Sequence, residues 1–270
     1  QLANSPYSLT QVNHFFITHM HGDHVLGLPQ LLLNKTARNQ ALKQKKKFNI
    51  YGPIGLKQFL NQIFVSIYHR SVLKYINVFE MHHSQSYEIG ELLNISVSAY
   101  PLYHSIPCHG YVFEESDDYR YKSEINNLPH EGRIAICKYK KPYPFQGVLY
   151  QPEDFLKKER GIKIVALGDT SNPSKILEKG MNCDFLIHEA TFLNHHIDTA
   201  IEAKHSTIEM AMNFSEKIAA KNLILTHISN RYIDEEERYT EEIEKAKIPT
   251  FLANDFDSFT VKDYVNRCVD

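Results

Sequence analysis

Short runs of β-branched and aromatic residues recur along the chain, separated by segments with helical spacing of apolar positions. The runs predict strands at His14–Thr18, Phe48–Tyr51, Leu92–Tyr100, Gly110–Glu114, Lys163–Leu167, Asp184–His188, Asn222–Thr226 and Asp257–Val261. Apolar residues at three- and four-residue intervals predict helices at Leu28–Leu33, Ile54–Tyr68 and Ser206–Ala219. Ser206 precedes Glu209 by three residues, a pattern typical of a helix N-terminus. Strands that alternate with helices indicate a layered α/β domain.

The segment from about residue 115 to 161 breaks this regularity. It holds four of the eleven prolines and lacks a clear period. The sequence therefore predicts a single domain over residues 1–270 with an irregular insertion at about 115–161.

Composition narrows the class of protein. Of the 270 residues 43% are hydrophobic, which is enough for a sizeable core, and no apolar run is long enough to span a membrane. The net charge of −2 predicts no overall attraction to nucleic acid, so a polyanion site would have to be local. The four cysteines show no C-x-x-C pairing, which favours a reducing compartment, and we expect a cytoplasmic protein, with nucleus or organelle as alternatives.

The most informative segment is His19-Met20-His21-Gly22-Asp23-His24, which follows the apolar run Phe15-Phe16-Ile17. Imidazole nitrogens and carboxylate oxygens are zinc ligands, and Gly22 allows a sharp turn that lets neighbouring side chains face one cavity. A solvated histidine-rich turn is the alternative. The density of ligand types favours a metal site.

Three further candidate ligands follow strand-like runs. His104 follows Val97–Leu102, Asp169 follows Ile164–Leu167, and His227 follows Leu223–Thr226. Each alone is more often a hydrogen-bonded histidine or a turn aspartate. Together with the histidine-rich loop, they predict a site for two metal ions at the rim of a sheet.

The segments that carry chemistry resemble those of the ribonuclease Z family of the metallo-β-lactamase superfamily. The matching segments are Phe15–His24, His104 with Gly110–Glu115, Gly168-Asp169-Thr170, Leu186–Phe192, His205-Ser206-Thr207 and Leu223–Tyr232. The His-Glu-Ala-Thr and His-Ser-Thr segments are much more specific than the histidine-rich loop, and the likeness extends over most of the chain.

This resemblance implies a metallo-β-lactamase αββα sandwich, two Zn²⁺ ions per chain and cleavage of the 3′ trailer from precursor tRNA. The metal ligands it implies are His19, His21 and His104 for one ion, Asp23, His24 and His227 for the other, and Asp169 as a bridge. It also implies that Glu189 and His205 form a pair beside the metals, with His205 protonating the leaving group. A homodimer is expected, with the apolar segment Leu26–Leu33 near the contact.

The residue types predict a hydrolytic mechanism. Two cations about 3.5–4 Å apart activate a water molecule for attack on a phosphodiester. Asp23 would orient that water and accept its proton, and His205 would donate a proton to the leaving oxygen if Glu189 holds its ring.

Two basic segments are candidates for RNA binding. The first contains Lys43, Lys45, Lys46 and Lys47, along with Lys35 and Arg38, and has no acidic residue. The second contains Lys138, Lys140 and Lys141 among aromatic residues inside the irregular insertion, a candidate tRNA-binding arm. Arg231, just after His227, is a further candidate, although solvated loops and local packing explain such residues equally well.

The chain departs from the family pattern in two places. The insertion lacks the Gly-x-Pro-x-Gly-Pro tip usual for the tRNA-binding arm, and only 18 residues precede His19, where relatives have several strands. We therefore expect upstream residues in the natural protein. Two other functions stay open at this point: a related binuclear hydrolase of small phosphodiesters or sulfate esters, and an inactive RNA- or partner-binding subunit.

Overall fold

The chain forms fourteen strands and eight α-helices, besides shorter 3-10 and π-helical turns, among the residues that the computed structural model describes, namely 8–43, 46–92, 94–232 and 235–260. The strands are β1 (His14–Phe16), β2 (Phe48–Pro53), β3 (Ile76–Met81), β4 (Tyr87–Leu92), β5 (Ile95–Leu102), β6 (Cys108–Glu115), β7 (Asp118–Tyr121), β8 (Tyr143–Phe145), β9 (Val148–Tyr150), β10 (Leu156–Glu159), β11 (Lys163–Ala166), β12 (Phe185–Glu189), β13 (Leu223–Thr226) and β14 (Thr250–Leu252). The helices are α1 (Gly22–Val25), α2 (Gly27–Ala41), α3 (Leu56–Ser66), α4 (His130–Arg133), α5 (Leu177–Gly180), α6 (Ile197–Ala203), α7 (Ile208–Lys217) and α8 (Glu236–Ile243).

The contacts divide the chain into two compact units. Of the described residues, the first contains 8–113 and 163–257, and the second contains 114–162 and 258–260. The second unit therefore holds the segment in which the sequence predicts an insertion. Whether residues 1–270 act as one domain with a tRNA-binding arm stays a prediction.

A three-stranded parallel sheet in the first unit has the order β1-β2-β3. Helices α2 and α3 pack on this sheet because their apolar stripes, spaced at three and four residues, bury one face. Leu32 of α2, Leu60 and Phe64 of α3, and Phe48 of β2 are fully buried in the shared core.

The second sheet of this unit has seven strands in the order β14-β13-β12-β11-β6-β5-β4. Strands β11 to β14 run parallel, as expected for strands connected through helices, whereas β4 and β5 form an antiparallel pair. Helix α7 covers this sheet, with Ala211 and Phe214 packed against the core that contains Leu186 and Leu225.

A third apolar cluster joins the two sheets. Phe16 and Tyr51 of the small sheet contact Ala99 and Tyr111 of the large sheet, and the Phe16 and Tyr51 rings stack with centroids 5.1 Å apart. The first unit is therefore layered as helices, sheet, sheet, helices. This arrangement is the predicted αββα sandwich.

Several predicted elements differ from the structure in their bounds. The strand predicted at Asp257–Val261 is wrong for residues 257–260, which form no strand, and the strand in this region is β14. Strands β3 and β4 were not predicted, because β3 carries exposed Phe79 and Glu80 on an edge and β4 contains Gly90 at a positive φ of 110°. Both features blur the alternation of apolar and polar residues.

Helix α7 begins one residue later than the sequence indicated. Its N-cap is Thr207, whose hydroxyl accepts a hydrogen bond from the backbone N–H of Met210, and not Ser206. The Ser206 hydroxyl instead donates to the backbone carbonyl of Thr170 at 2.6 Å. Ser206 therefore does not cap α7, as the local pattern predicted, because its hydroxyl forms this long-range hydrogen bond.

The second unit combines two small antiparallel strand pairs, β7 with β10 and β8 with β9. Gln146 and Gly147 connect β8 to β9 and both have positive φ, the geometry of a tight hairpin turn. Ile125, Leu128, Ile136 and Phe155 form the apolar core of this unit. Within the described ranges of the whole chain, none of the helices has the length and apolar character needed to cross a membrane.

Candidate metal centre

The histidine-rich segment forms the turn between β1 and α1. His19 and His21 lie in the turn, and Asp23 and His24 lie in the four-residue helix α1. The turn is tight at Gly22, where an added Cβ would be 3.1 Å from the Leu26 side chain. The short helix directs Asp23 and His24 back toward the same space as the two preceding histidines.

The other three predicted ligands lie in segments that follow β5, β11 and β13 of the large sheet. His104 follows β5, Asp169 follows β11 after a short connection, and His227 follows β13 directly. His227 has a φ of 59°, a left-handed conformation that is uncommon for residues other than glycine. Such strain is often found at functional sites. In His227 this conformation turns the backbone directly after β13 and brings the imidazole ring to the site shared with the other candidate ligands.

One carboxylate oxygen lies at the centre of the cluster. Asp169 Oδ2 is 3.5 Å from His19 Nε2, 3.4 Å from His24 Nε2, 3.9 Å from His104 Nε2 and 3.4 Å from His227 Nε2. On the exposed side, Asp23 Oδ2 is 3.3 Å from both His24 Nε2 and His227 Nε2. The predicted bridging residue is thus the one within reach of both ligand sets.

The donor atoms fall into groups of the size that a metal ion needs. One group contains His19, His21, His104 and Asp169, and a second contains Asp23, His24 and His227, with the atoms of each group within 4.8 Å of one another. A third group joins Asp169 and His227 with His205. The first two groups have the composition of the two ligand sets implied by the sequence resemblance, and Asp169 of the first group also lies 3.4 Å from His24 and His227 of the second.

The chemistry of these groups fits a cation. His24 Nε2 is buried without a hydrogen-bond partner, although two carboxylate oxygens lie within 3.4 Å. The Nδ1 atom of His104 is 3.0 Å from the backbone carbonyl of Lys204, so this nitrogen carries the proton and Nε2 presents a lone pair to the cluster. His21 Nδ1 lies 3.1 Å from His19 Nε2 and 3.2 Å from His104 Nε2, and ring nitrogens that converge in this way on one small space are stabilised by a bound metal ion.

Comparison with known proteins agrees with this site. Residues 1–121 match the model of the beta-lactamase superfamily domain. The chain is 34% identical to "Ribonuclease Z" of Exiguobacterium sibiricum over 271 residues, which covers 97% of this chain and 86% of the relative. It is 33% identical to "Ribonuclease Z" of Methanococcus maripaludis (strain C5), covering 97% of this chain and 85% of that relative.

The chain belongs to the ribonuclease Z family. Its structure is similar to the crystal structure of the short form of human tRNase Z, with a TM-score of 0.65 and 26% identity, covering 95% of this chain and 82% of that one. The two layered sheets of the first unit are therefore those of the metallo-β-lactamase fold that the sequence resemblance implied.

In this member of the ribonuclease Z family, Glu189 lies beside the candidate metal ligands and holds neighbouring side chains by hydrogen bonds. The carboxylate is buried and accepts hydrogen bonds from the backbone N–H of Thr170 at 2.8 Å and from His205 Nδ1 at 2.9 Å. The hydroxyl of Thr191 donates to Glu189 and lies 2.8 Å from His227 Nδ1. One carboxylate thus orients His205 directly and His227 through Thr191.

Electrostatics hold Asp169 and His19 in the states that metal binding requires. Burial acts to raise the pKa of Asp169, but the surrounding His24 and His227 outweigh it and hold that pKa at about 2. Burial is the largest cause that lowers the pKa of His19, to about 3, so its ring is neutral. Carboxylates that are charged and imidazoles that are neutral are the forms that bind metal ions.

The pKa of His205 moves in the opposite direction to that of His19. Burial would lower its pKa, but the hydrogen bond and charge of Glu189 outweigh that effect and raise the pKa above its ordinary value. The pKa of Glu189 is lowered, because the hydrogen bond and charge of His205 outweigh burial, which acts to raise it. A protonated His205 opposite an ionised Glu189 is the state from which a proton can be donated.

Two residues that hold this site together were not predicted from the sequence as site residues. Thr191 links Glu189 to His227, and Ser206 ties the loop before α7 to Thr170, which follows Asp169. Both lie in segments on which the family resemblance rests, His-Glu-Ala-Thr and His-Ser-Thr. Thr191 lies two residues after Glu189, and Ser206 directly follows His205, so this spacing of hydroxyl groups along the sequence indicates side chains that can hydrogen-bond within the site.

The structure places the predicted RNA-binding lysines on exposed surface. Lys43, Lys46 and Lys47 are exposed in the first unit, and Lys45 lies outside the described residues. Lys35, which the sequence grouped with them, does not belong to the basic surface. It is fully buried, and its ammonium group donates to the backbone carbonyls of Leu9 and Thr10 at 3.0 and 3.3 Å.

The remaining predicted RNA contacts lie in two places. Lys138, Lys140 and Lys141 are exposed in the second unit, where Lys138 lies over the Tyr139 ring and Lys140 hydrogen-bonds the hydroxyl of Tyr121. In the first unit, the Arg231 guanidinium lies 5.0 Å from the centroid of Phe192. The contact of these side chains with RNA stays a prediction.

Proposed function

We propose that this protein is a metal-dependent endoribonuclease that removes the 3′ trailer from precursor tRNA. The observation that carries the proposal is the clustering of imidazole and carboxylate groups around Asp169, which lies within 4 Å of His19, His24, His104 and His227, with the Glu189–His205 pair beside them. Curated relatives with this family's name match nearly the full length of the chain.

The residues fit two Zn²⁺ ions. His19, His21 and His104 would hold one, Asp23, His24 and His227 would hold the other, and Asp169 would contact both. When bound, such ions supply a hydroxide nucleophile near neutral pH and stabilise negative charge on a phosphodiester. The fixed Nδ1 contacts of His104 and His227 orient their rings before any ion binds.

The protein's own residues supply proton transfer. The Asp23 side chain is 66% exposed and its pKa is lowered, because His24 and His227 outweigh burial, so the carboxylate can orient an attacking water and accept its proton. His205, protonated and held through Nδ1 by Glu189, donates a proton to the departing 3′ oxygen. The acid, His205, is paired with a buried carboxylate, whereas the base, Asp23, is open to solvent.

Substrate binding is assigned to the exposed basic side chains. Lys43, Lys46 and Lys47 of the first unit, and Lys138, Lys140 and Lys141 of the second, would contact phosphates of the tRNA. Such contacts make affinity fall steeply with salt. The second unit would serve as the tRNA-binding arm, with its exposed Tyr139 available for stacking.

A precursor tRNA with a 3′ extension, incubated with the protein and mapped at nucleotide resolution, tests the proposal. We expect one cut near the end of the acceptor stem, loss of cleavage with a chelator and recovery with Zn²⁺. Hydrolysis of bis(p-nitrophenyl) phosphate without any tRNA cleavage would instead identify a small-ester hydrolase. Zinc binding with no hydrolysis of either substrate would identify an inactive binding subunit.

A homodimer and a cytoplasmic location stay part of the proposal. Leu28 and Leu32 of the predicted contact segment are buried in the protomer, whereas Leu26 is 64% exposed. Leu26 is therefore the exposed leucine of this segment that a second copy could contact. Analytical ultracentrifugation of the wild type and of Leu26→Glu tests the contact, and a monomeric wild type would contradict it.

A further inference from the structure

A small groove lies next to the candidate metal ligand His104. It has a volume of about 300 Å³, and its lining includes Tyr103, His104, Ser105, Lys175 and His83. In the described part of the chain, the groove is lined by two imidazoles and one ammonium group and by no carboxylate. Its size is at the lower end for small-molecule sites, and the ammonium group of Lys175 suits an anionic ligand.

Tyr103 is fixed at the edge of this groove. Its backbone carbonyl accepts hydrogen bonds from the N–H of Ser171 at 3.0 Å and from the Ser171 hydroxyl at 3.4 Å, and its backbone pairs with Asn172 in an antiparallel bridge. Ser171 is two residues from Asp169. Tyr103 is therefore bound by its backbone to the segment that carries the central carboxylate, and by sequence to His104.

The Tyr103 ring itself is open to solvent. It is 48% exposed, whereas Leu102 and His104 on either side are 6% and 8% exposed. Lys175 Nζ lies 5.3 Å from the ring centroid. An exposed aromatic face next to a cation is the combination with which proteins bind single-stranded nucleic acid, by stacking a base and neutralising a phosphate.

We propose that Tyr103 and Lys175 form a subsite that stacks one nucleobase of the RNA strand next to the cleaved phosphodiester. Tyr103 supplies the stacking face and Lys175 contacts a phosphate of that strand. This inference rests on the proposed function, since it names a substrate contact of the same site. The groove contributes to substrate binding and not to proton transfer.

Steady-state cleavage of precursor tRNA by Tyr103→Ala, Tyr103→Phe and Tyr68→Ala tests the subsite. Tyr68 is a matched control because its side chain is 94% exposed and lies at the end of α3, away from the groove lining. We expect Tyr103→Ala to raise KM about tenfold with little change in kcat, because stacking contributes equally to ground and transition states. Tyr103→Phe and Tyr68→Ala should match the wild type.

A substrate series identifies the base. Two precursor tRNAs, each with an abasic nucleotide on a different side of the cleavage position, are compared with the normal substrate. The wild type should bind one of the two more weakly. Tyr103→Ala should bind that substrate and the normal one equally. With 2-aminopurine at that position, rapid mixing with excess wild-type enzyme should quench the fluorescence before cleavage, and the alanine variant should not. Lys175→Gln should reduce the slope of log KM against log salt concentration by about one, because one contact with a phosphate is lost.

The outcomes separate the two proposals. If the unmodified protein does not cleave precursor tRNA, the proposed function fails. If it cleaves, but Tyr103→Ala has the wild-type KM and the wild-type sensitivity to abasic positions, the subsite is overturned and the function stands. An equal effect of Tyr68→Ala would also overturn it, because a general loss of exposed aromatic surface would then explain the result.

Discussion

At the scale of single residues, the site depends on which nitrogen of each imidazole is already occupied. His104 and His205 each use Nδ1 for a partner outside the cluster, the Lys204 carbonyl and Glu189 respectively. For His104, the other ring nitrogen lies 3.9 Å from Asp169 Oδ2. The partner of Nδ1, a backbone carbonyl for His104 and a carboxylate for His205, therefore distinguishes the candidate ligand from the candidate acid.

His205→Ala and Asp23→Ala should differ in metal content. Removing the general acid should lower kcat by about 10²–10⁴-fold while zinc content stays at the wild-type level. Asp23→Ala removes a ligand as well as a proton acceptor, so both activity and zinc content should fall. Elemental analysis beside kinetics on both variants measures this. Normal turnover by the His205 variant would refute its assigned role.

Stability at acid pH should depend on buried neutral histidines such as His109. Burial lowers the pKa of His109 below its ordinary value of 6.5, and one ring nitrogen has no hydrogen-bond partner. Below pH 6.5 the unfolded chain takes up a proton that the folded state does not. The free energy of unfolding should therefore be highest above pH 6.5 and fall as the pH is lowered toward the folded pKa.

His109→Leu isolates this contribution. Because the variant has no proton to gain on unfolding at this position, the slope of unfolding free energy against pH below 6.5 should decrease by up to about 1.4 kcal/mol per pH unit. Urea unfolding at several pH values measures the slope. An unchanged slope would show that His109 is protonated equally in both states.

At the scale of elements, the site is built where strands end. β1, β5, β11 and β13 are each followed by a ligand-bearing segment, and the segments after β1 and β11 approach each other closely at Gly168. A Cβ at this position would lie 2.6 Å from Thr18 Cβ and 2.7 Å from Cys108 Sγ. The glycine is needed because the segment that carries Asp169 lies against the one that carries His19.

Gly168→Ala should therefore damage both stability and metal binding. The added methyl group forces the two segments apart, and we expect a loss of about 1–3 kcal/mol in the free energy of unfolding together with weaker zinc binding. Gly27→Ala is the matched control, since nothing lies within 4 Å of its added Cβ at the start of α2. Denaturant unfolding and zinc titration of both variants measure the effect, and equal behaviour would contradict the close-approach argument.

Elements with strong local patterns were the predictable ones. The predicted helix Ile54–Tyr68 corresponds to α3, and the runs around Phe48, Lys163 and Asn222 correspond to β2, β11 and β13. β14 was missed because its three residues, Thr250–Leu252, are too few to show a period. The cap of α7 moved to Thr207 because Ser206 binds the Thr170 carbonyl, a contact that no local pattern encodes.

At the scale of the whole molecule, packing of the two sheets of the first unit brings residues 19 and 227 into one site. The apolar cluster of Phe16, Tyr51, Ala99 and Tyr111 joins the sheet that precedes the histidine-rich turn to the sheet that carries the other ligands. Metal ions bound between them would link distant parts of this unit. Binding to the folded state alone would then stabilise the fold.

Zinc removal should accordingly lower the melting temperature. At a zinc concentration 100 times the dissociation constant, binding contributes about 2.7 kcal/mol, which corresponds to roughly 5–10 °C for a chain of this size. Differential scanning calorimetry with and without a chelator measures the shift. Asp169→Asn is the control: a variant without the shared carboxylate should show a much smaller shift, and an equal one would place the stabilising zinc elsewhere.

The sequence by itself determined the ligand types, their order along the chain and the strands that precede them, because these features are local and follow from residue chemistry and periodicity. It also determined the family, through motifs such as His188-Glu189-Ala190-Thr191. Only the tertiary structure decided which groups meet. Long-range contacts buried Lys35 instead of exposing it, assigned Thr191 the link between Glu189 and His227, and placed Lys175 next to the exposed Tyr103 ring. These outcomes depend on side chains far apart in sequence, whose approach is set by the packing of sheets and helices.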